Sequence, residues 1–495
     1  MGTFVHALYA CCCLAVRFRW STRISVISAM LFNSFSFWVA FPIIFGLYWL
    51  IPSGMKKAKK WYLVIVSYAL YMNWKPVFAL VLFGVTLLTF SGAILMGGMR
   101  NRKVIVCTFA LLGLMPLLAF KYYNFLDQNF TELLAACNVN IGLPGLNWAI
   151  PIGISFFTFQ AVGYLLDVYY GRIKAEKSFT DYMLFVSFFP QVASGPISKA
   201  DELLPQIKQP KPFVYAQGVT GLKLLLWGMF LKLAVADRLG LYVDQVYANY
   251  QHYSGECLLL TTVFYSLQIY ADFAGYSFMA MGIAKTLGYD LINNFNRPYF
   301  SCSVTDFWRR WHISLSRWLK AYVYIPMGGS RCSKLRNYWN ILVTFLVSGI
   351  WHGANWTFIV WGAFHGLCQI IEKALGLQKN NSTNCWVMCV RIVVTFVIIN
   401  TAWIFFRMPT LSDAVSIIAR MCTSFGQGEF LTYQLTSLRV VIPVLIFKDV
   451  YDEFFPNRFR VLRSSLVRRT CYVILFCLIL FLGVLDSSQF IYVNF

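Results

Sequence analysis

Charge is what this chain has least of. Only 13% of its 495 residues are Asp, Glu, Lys or Arg, against about 25% in an ordinary soluble domain. That scarcity excludes a soluble globular protein. Acidic residues are scarcer still, 20 against 42 basic, leaving a net charge of +22. A balance of that sign invites a nucleic-acid reading. The basic residues, however, sit in short loops between apolar runs, where the positive-inside rule places them, so nucleic acid is not an expected partner. No GxSxG elbow, Walker loop, GxGxxG turn or HExxH helix occurs, which leaves hydrolase-elbow, nucleotide and zincin chemistry without a carrier. The 14 cysteines form no CxxC and no Cys/His grouping at metal spacing, so neither structural zinc nor a disulfide framework is expected. Cys11, Cys12 and Cys13 suit acylation at a membrane edge.

What fills the chain instead is apolar. It is 59% hydrophobic and 18% aromatic, with a mean hydropathy of +0.61. The expected class is an all-α polytopic membrane protein with about eleven or twelve transmembrane helices plus re-entrant or interfacial elements. Residues 1–29 stand apart: FVHALYACCCLAV is too short to cross about 30 Å of hydrocarbon, and Arg17, Arg19 and Arg23 follow it. They are expected to be an extension ahead of a start at Met30, with 30–495 forming a single membrane domain.

Spans are expected over 31–51, in a hairpin over 61–97 turning at Asn73–Pro76, and over 104–120, 148–170, 216–236 and 257–284. Later spans fall near 386–406, 436–452 and 470–492. Pro190, Gly195 and Pro196 break the run 180–197, which reads as re-entrant. Residues 338–370 would run roughly 50 Å as one helix. Trp351-His352-Gly353-Ala354-Asn355 interrupts them, so two segments meeting inside the membrane are expected.

Between these spans, Ser303–Gly329 reads as a cytoplasmic-side amphipathic helix. Trp311, Leu315, Trp318 and Tyr322 make an aromatic-apolar stripe, and Asp306, Arg310, Ser314 and Arg317 a charged one. His312 follows Trp308 by one turn. An ordinary interfacial helix has the same composition.

The chain has five histidines. His6 lies in the extension, His252 in a polar loop, and His365 in the apolar WGAFHG, where packing and pathway roles are equally open. His352 interrupts an apolar stretch. An ionisable group at that depth faces a cavity or a partner, or packs between helices by hydrogen bonding. A neutral imidazole in a low-dielectric cavity is suited to taking a proton from a hydroxyl. Gln268 and Asp272, four apart, would line a cavity or pair with another span.

NFNRPYF, DFWRRWHISLSRWL, YIPMGG and SGIWHGANWTFIVWGAFHG together resemble the membrane-bound O-acyltransferase superfamily, in its bacterial alginate O-acetyltransferase-like branch. FPQVASGPI, DFAGYS and FNSFSFWVAFPIIFGLYWL are similar to that branch as well. The resemblance implies a ring of helices around a central tunnel, with His352 catalytic and His312 supporting it. It further implies a bacterial inner-membrane enzyme with no bound cofactor that takes acetyl from a cytoplasmic thioester, acetyl-CoA. The acceptor would be a hydroxyl of an exported polysaccharide or cell-wall glycan, with an extracytoplasmic transferase- or esterase-like protein as partner. On this reading Asp306, Arg309 and Arg310 shape the donor mouth, and Trp308, Trp311, Asn355, Gln268 and Asp272 line the path. Two alternatives stay open: D-alanyl transfer from a carrier protein to teichoic acid, and a non-catalytic transporter or scaffold. The sequence departs from the branch at Phe278 and Ala321, where the branch usually has Asp.

Overall fold

The computed structural model describes residues 32, 34–98, 101–139, 145–146, 148–378, 384–432, 435–455 and 464–484. Among these its regular structure is helical, with one isolated bridge between Tyr253 and Glu429. The expectations for residues 1–29, with His6 and Cys11–Cys13, lie outside the described residues.

The first helices are α1 (Phe35–Leu50), α2 (Lys56–Met72), α3 (Pro76–Met96), α4 (Arg102–Ala136) and α5 (Ile154–Tyr169). Short helices follow: α6 (Phe179–Ser187), α7 (Phe189–Val192) and α8 (Ala200–Lys208). Then come α9 (Tyr215–Met229), α10 (Asp237–Ala248) and α11 (Gly255–Thr286), a π-helical turn over Phe230–Ala236 joining α9 to α10. Next are α12 (Val304–Arg310), α13 (Ile313–Leu319), α14 (Lys334–His352) and α15 (Trp356–Ala374). The chain closes with α16 (Cys385–Arg407), α17 (Leu411–Thr423), α18 (Leu435–Phe454) and α19 (Ser465–Leu482).

Among the described residues, six helical stretches are long and apolar enough to cross a membrane: α3, α4, Tyr215–Ala248, α11, α16 and α19. Further segments expected as spans are shorter or more polar. α1 and α5 have 16 residues each and α2 has 17 with four lysines in its first turns. α14 and α15 dilute their apolar residues with Asn, His, Gln and terminal charges. α4 runs past the expected 104–120 to Ala136, and the expected span 216–236 continues through the π turn to Ala248. The two interrupted segments are broken where the sequence placed the breaks, after Ser187 and again past Val192, and at 353–355.

One expectation is corrected. Ser303–Gly329 is not a single amphipathic helix. It is broken at Trp311-His312, where His312 takes a left-handed φ of 43°. The two stripes therefore do not run across the break, and Trp311 and Trp318 are both buried.

α11 lies at the centre, with 78% of its apolar window buried inside the protein, whereas 6% of α19's is. Small residues let helices approach closely. A Cβ on Gly221 or Gly228 of α9 would come within 2.7 or 2.6 Å of a carbonyl on α11. A Cβ on Gly349 of α14 would meet the Phe358 carbonyl at 2.3 Å, and one on Gly362 of α15 the Phe345 carbonyl at 2.4 Å.

Lys232, in the π turn, is buried and donates to Asp237 at 2.7 Å and to Asp272 of α11 at 2.6 Å. Removing one member of a buried ionic group leaves an uncompensated charge, at about 3–5 kcal/mol. Lys232→Met should therefore lower the unfolding temperature in detergent strongly. Adding Asp237→Asn and Asp272→Asn should restore most of it; no recovery in the triple variant refutes this account.

Candidate active site

α14 ends at His352 because Gly353 turns extended, at φ −166° and ψ 156°. A Cβ there would lie 2.1 Å from the Phe358 ring, so a larger residue would have to displace that ring. Asn355 then starts α15: its side chain accepts from Thr357 N at 2.9 Å and donates to Pro409 O at 2.8 Å. The last carbonyls of α14 have no further helical turn to accept from. Two consecutive residues of α4 meet them. Tyr122 Oη donates to Ile350 O at 2.5 Å, and Lys121 Nζ donates to Trp351 O at 2.7 Å and His352 O at 2.8 Å.

The His352 ring is buried against Trp351, Trp361 and Phe406, at centroid separations of 4.9, 5.0 and 5.2 Å. His312 reaches the same cluster. Its ring contacts Phe273 at 4.6 Å and Trp351 at 5.8 Å, so both imidazoles pack on one indole. His312 is fully buried, and neither ring nitrogen has a hydrogen-bond partner among the described residues.

The backbone that holds His312 in its left-handed conformation comes from two other motifs. Asn294 accepts from Ile313 N through its carbonyl and from Ser314 N through its side chain, each at 3.0 Å. Asn296 N donates to Arg310 O at 2.9 Å. Ser314 Oγ in turn accepts from Ile197 N at 3.0 Å. NNFNRPYF and FPQVASGPIS are thus hydrogen-bonded around the break in WRRWHIS.

Trp308 lies between α14 and α15, its Nε1 donating to His365 Nδ1 at 3.3 Å. Its ring contacts Trp361 and Phe345. Trp311 packs on Trp403 and Phe295 at 5.0 Å each. The charged candidates separate. Asp306 and Arg310 pair at 3.2 Å, and Arg310 also pairs with Glu453 of α18 at 2.8 Å. Arg309 is exposed, with no ion pair among the described residues. Gln268 is buried, while Asp272 is held by Lys232. Ala321 is buried, and its carbonyl accepts from Arg172, whose counter-ion is Asp167 of α5 at 2.9 Å. Phe278 is half-buried against the core.

Lys121, Glu372 and His365 are absent from the sequence-derived site. The signal for Lys121 was present, a lysine inside an apolar span. Glu372 accepts from Val304 N, Thr305 N and Thr305 Oγ1, so a carboxylate from α15 caps α12. No local pattern announces that. Among the described residues no group of three His, Cys, Asp or Glu side chains is placed to hold a metal ion.

A polytopic helical membrane protein with a buried centre built on histidine and tryptophan is the class these features define. The sequence profile of the membrane-bound O-acyltransferase family matches residues 170–408, which include both His312 and His352. The chain is 36% identical over 416 residues to the probable alginate O-acetylase AlgI of Pseudomonas aeruginosa, covering 83% of this chain and 77% of that protein. It is 33% identical over 424 residues to the peptidoglycan O-acetyltransferase of Helicobacter pylori, covering 79% and 80%. Similarity to the teichoic acid D-alanyltransferase of Bacillus subtilis is 27% over 338 residues, covering 65% and 82%. The chain belongs to the membrane-bound O-acyltransferase family, in its alginate O-acetyltransferase-like branch, and is a multi-pass membrane O-acyltransferase.

Glu372→Ala removes the acceptor of the first two amides of α12, the helix that carries Trp308 and leads to His312, and leaves the Ser303 cap in place. Losing N-terminal capping contacts costs about 0.5–2 kcal/mol. Thermal unfolding in detergent should register that loss, together with a fall in acyl transfer; an unchanged unfolding temperature contradicts it.

Proposed function

We propose that this protein moves acetyl from a cytoplasmic thioester, acetyl-CoA, to a hydroxyl of an exported polysaccharide or cell-wall glycan, at the inner membrane of a bacterial cell. His352 acts as general base. It takes the acceptor's hydroxyl proton as that oxygen attacks the thioester carbonyl. The C–S bond then breaks, and the proton passes to the departing sulfur, leaving an ester and a free thiol. His312, packed on the same indole as His352, orients the reacting groups. The position of His352 carries this reading. It stands at a helix break in the apolar interior, on a helix that starts among the basic residues Lys334 and Arg336.

The names of the relatives in Pseudomonas aeruginosa and Helicobacter pylori support acetyl as the group moved. Similarity to the D-alanyltransferase keeps a carrier-protein donor as the second reading.

Purified protein incubated with labelled acetyl-CoA or with a D-alanyl-charged carrier protein decides between the donors. His352→Ala should lose at least about 10²–10⁴-fold in transfer, the usual contribution of a positioned base, while keeping a folded elution profile. Full activity in that variant removes His352 from the chemistry. A ligand bound or moved with no thioester consumed makes the protein a transporter.

Arg309 is the exposed charge at the donor mouth, and a guanidinium there suits an anionic thioester. Arg309→Ala should raise the donor KM several-fold and change stability by less than about 0.5 kcal/mol. Arg310→Ala, which breaks two ion pairs, should lower stability instead. An unchanged donor KM in the Arg309 variant rules out that contact.

A further inference from the structure

Beside the end of α14 lies an open cavity of about 520 Å³, where the second half of α4 meets Ala354–Trp356 and Pro409–Leu411. That volume is in the range of sites for small ligands, roughly 300–1,000 Å³. α4 starts at Arg102 and α14 at Lys334, both among basic residues. At 1.5 Å per residue each has risen by roughly 27–28 Å at Lys121 and His352. The cavity therefore opens on the side opposite the basic loops.

Lys121 lines this cavity. A lysine inside a membrane-spanning helix is costly, and its default reading is functional. An ammonium has three donors. Two are on the carbonyls of Trp351 and His352, which leaves one for the cavity.

Trp356 lines it too. It is 53% exposed, and its ring is fixed by Nε1 donating to Asn129 Oδ1 at 2.9 Å and by packing on Phe125 at 5.9 Å. An indole whose N–H is already satisfied presents a flat apolar face. Around it stand Gln128, which donates to Glu132 Oε1 at 2.9 Å, and Thr410, whose hydroxyl donates to Asp413 at 2.7 Å. A rigid aromatic plate, the Glu132 carboxylate, amide groups and one cation match a sugar ring: the C–H face lies on the indole and the hydroxyls reach the carboxylate, the amides and the amine.

We infer that this cavity seats the acceptor sugar and that Lys121 joins it to His352. The same ammonium holds the carbonyls that end α14 and hydrogen-bonds an acceptor oxygen, so base and acceptor are registered to one group. This rests on the acyl-transfer reading, and it adds where the acceptor binds and by which residues.

Calorimetric binding of an alginate oligosaccharide and of a peptidoglycan-derived glycan to the full-length protein in detergent tests the site without turnover. Acetyl-transfer kinetics on the same samples test its coupling to His352. Trp356→Ala should weaken binding of the accepted saccharide and raise its KM by about 3–10-fold, the scale of one aromatic contact, leaving the donor KM unchanged. Trp356→Phe should keep most of the affinity. Lys121→Met should lose both saccharide affinity and kcat, and Lys121→Arg should recover part of each. A folding loss in Lys121→Met shows in its unfolding temperature, and the exposed Trp356 pair then carries the test. An acceptor Kd untouched by Trp356→Ala overturns the proposal. So does thioester turnover with no saccharide bound, or with acetyl delivered only to a protein hydroxyl; in those cases acyl transfer itself stands. Saccharide binding that depends on Trp356 with no thioester consumed keeps the site and refutes acyl transfer.

Discussion

A helix that stops inside an apolar slab must find partners for its last carbonyls within the protein. Each buried polar group left unmet costs several kcal/mol there. α14 stops at His352, and α4 supplies the partners from Lys121 and Tyr122. The lysine that looks misplaced in an apolar span is therefore where the fold requires a donor. The arrangement at His312 follows the same rule, with Asn294 accepting two of the backbone amides after the break. Both histidines stand at interruptions of helical structure, and both interruptions are held by residues distant in sequence.

Space around the two rings is set by glycine on one side and large aromatics on the other. Gly349 and Gly362 bring α14 and α15 close enough that a methyl at either would strike backbone. Trp308, Trp351 and Trp361 fill the volume between those helices and α12. The filling is incomplete in one respect. Both His312 nitrogens, His365 Nε2, Ser348 Oγ and the indole nitrogens of Trp351 and Trp361 are buried without partners among the described residues. Native interiors leave few such atoms. Several of them lie together around the two histidines.

Charge has sorted into two kinds of work. Lys232 with Asp237 and Asp272, and Arg310 with Asp306 and Glu453, tie elements together. Arg309 is exposed, and Lys121 lines a cavity while it holds the end of α14. Arg172, beside the Ala321 carbonyl, takes its counter-ion from Asp167 on α5.

Local features were readable from the chain itself. Hydropathy and basic loops gave the membrane class. Gly353 and the prolines near 190 marked two breaks, and four-residue spacing paired Asp306 with Arg310. The quoted motifs pointed to His312 and His352. Each of these signals depends on neighbours within a few residues.

What the sequence left to the tertiary structure depends on residues far apart. No glycine or proline marks the break at His312; its left-handed backbone is imposed by Asn294, and a helical wheel drawn through it was bound to fail. Which of the apolar helices face lipid was unreadable for a related reason. Averaged hydropathy does not separate a helix facing lipid from one buried among helices, as α19 and α11 differ. Lys121 needed a carbonyl 231 residues away, and Glu372 an amide 68 residues away, before either had a role. Composition alone fixed that these polar groups must be satisfied inside the protein. Which groups satisfy them, and hence where His312 and His352 stand, was decided by packing.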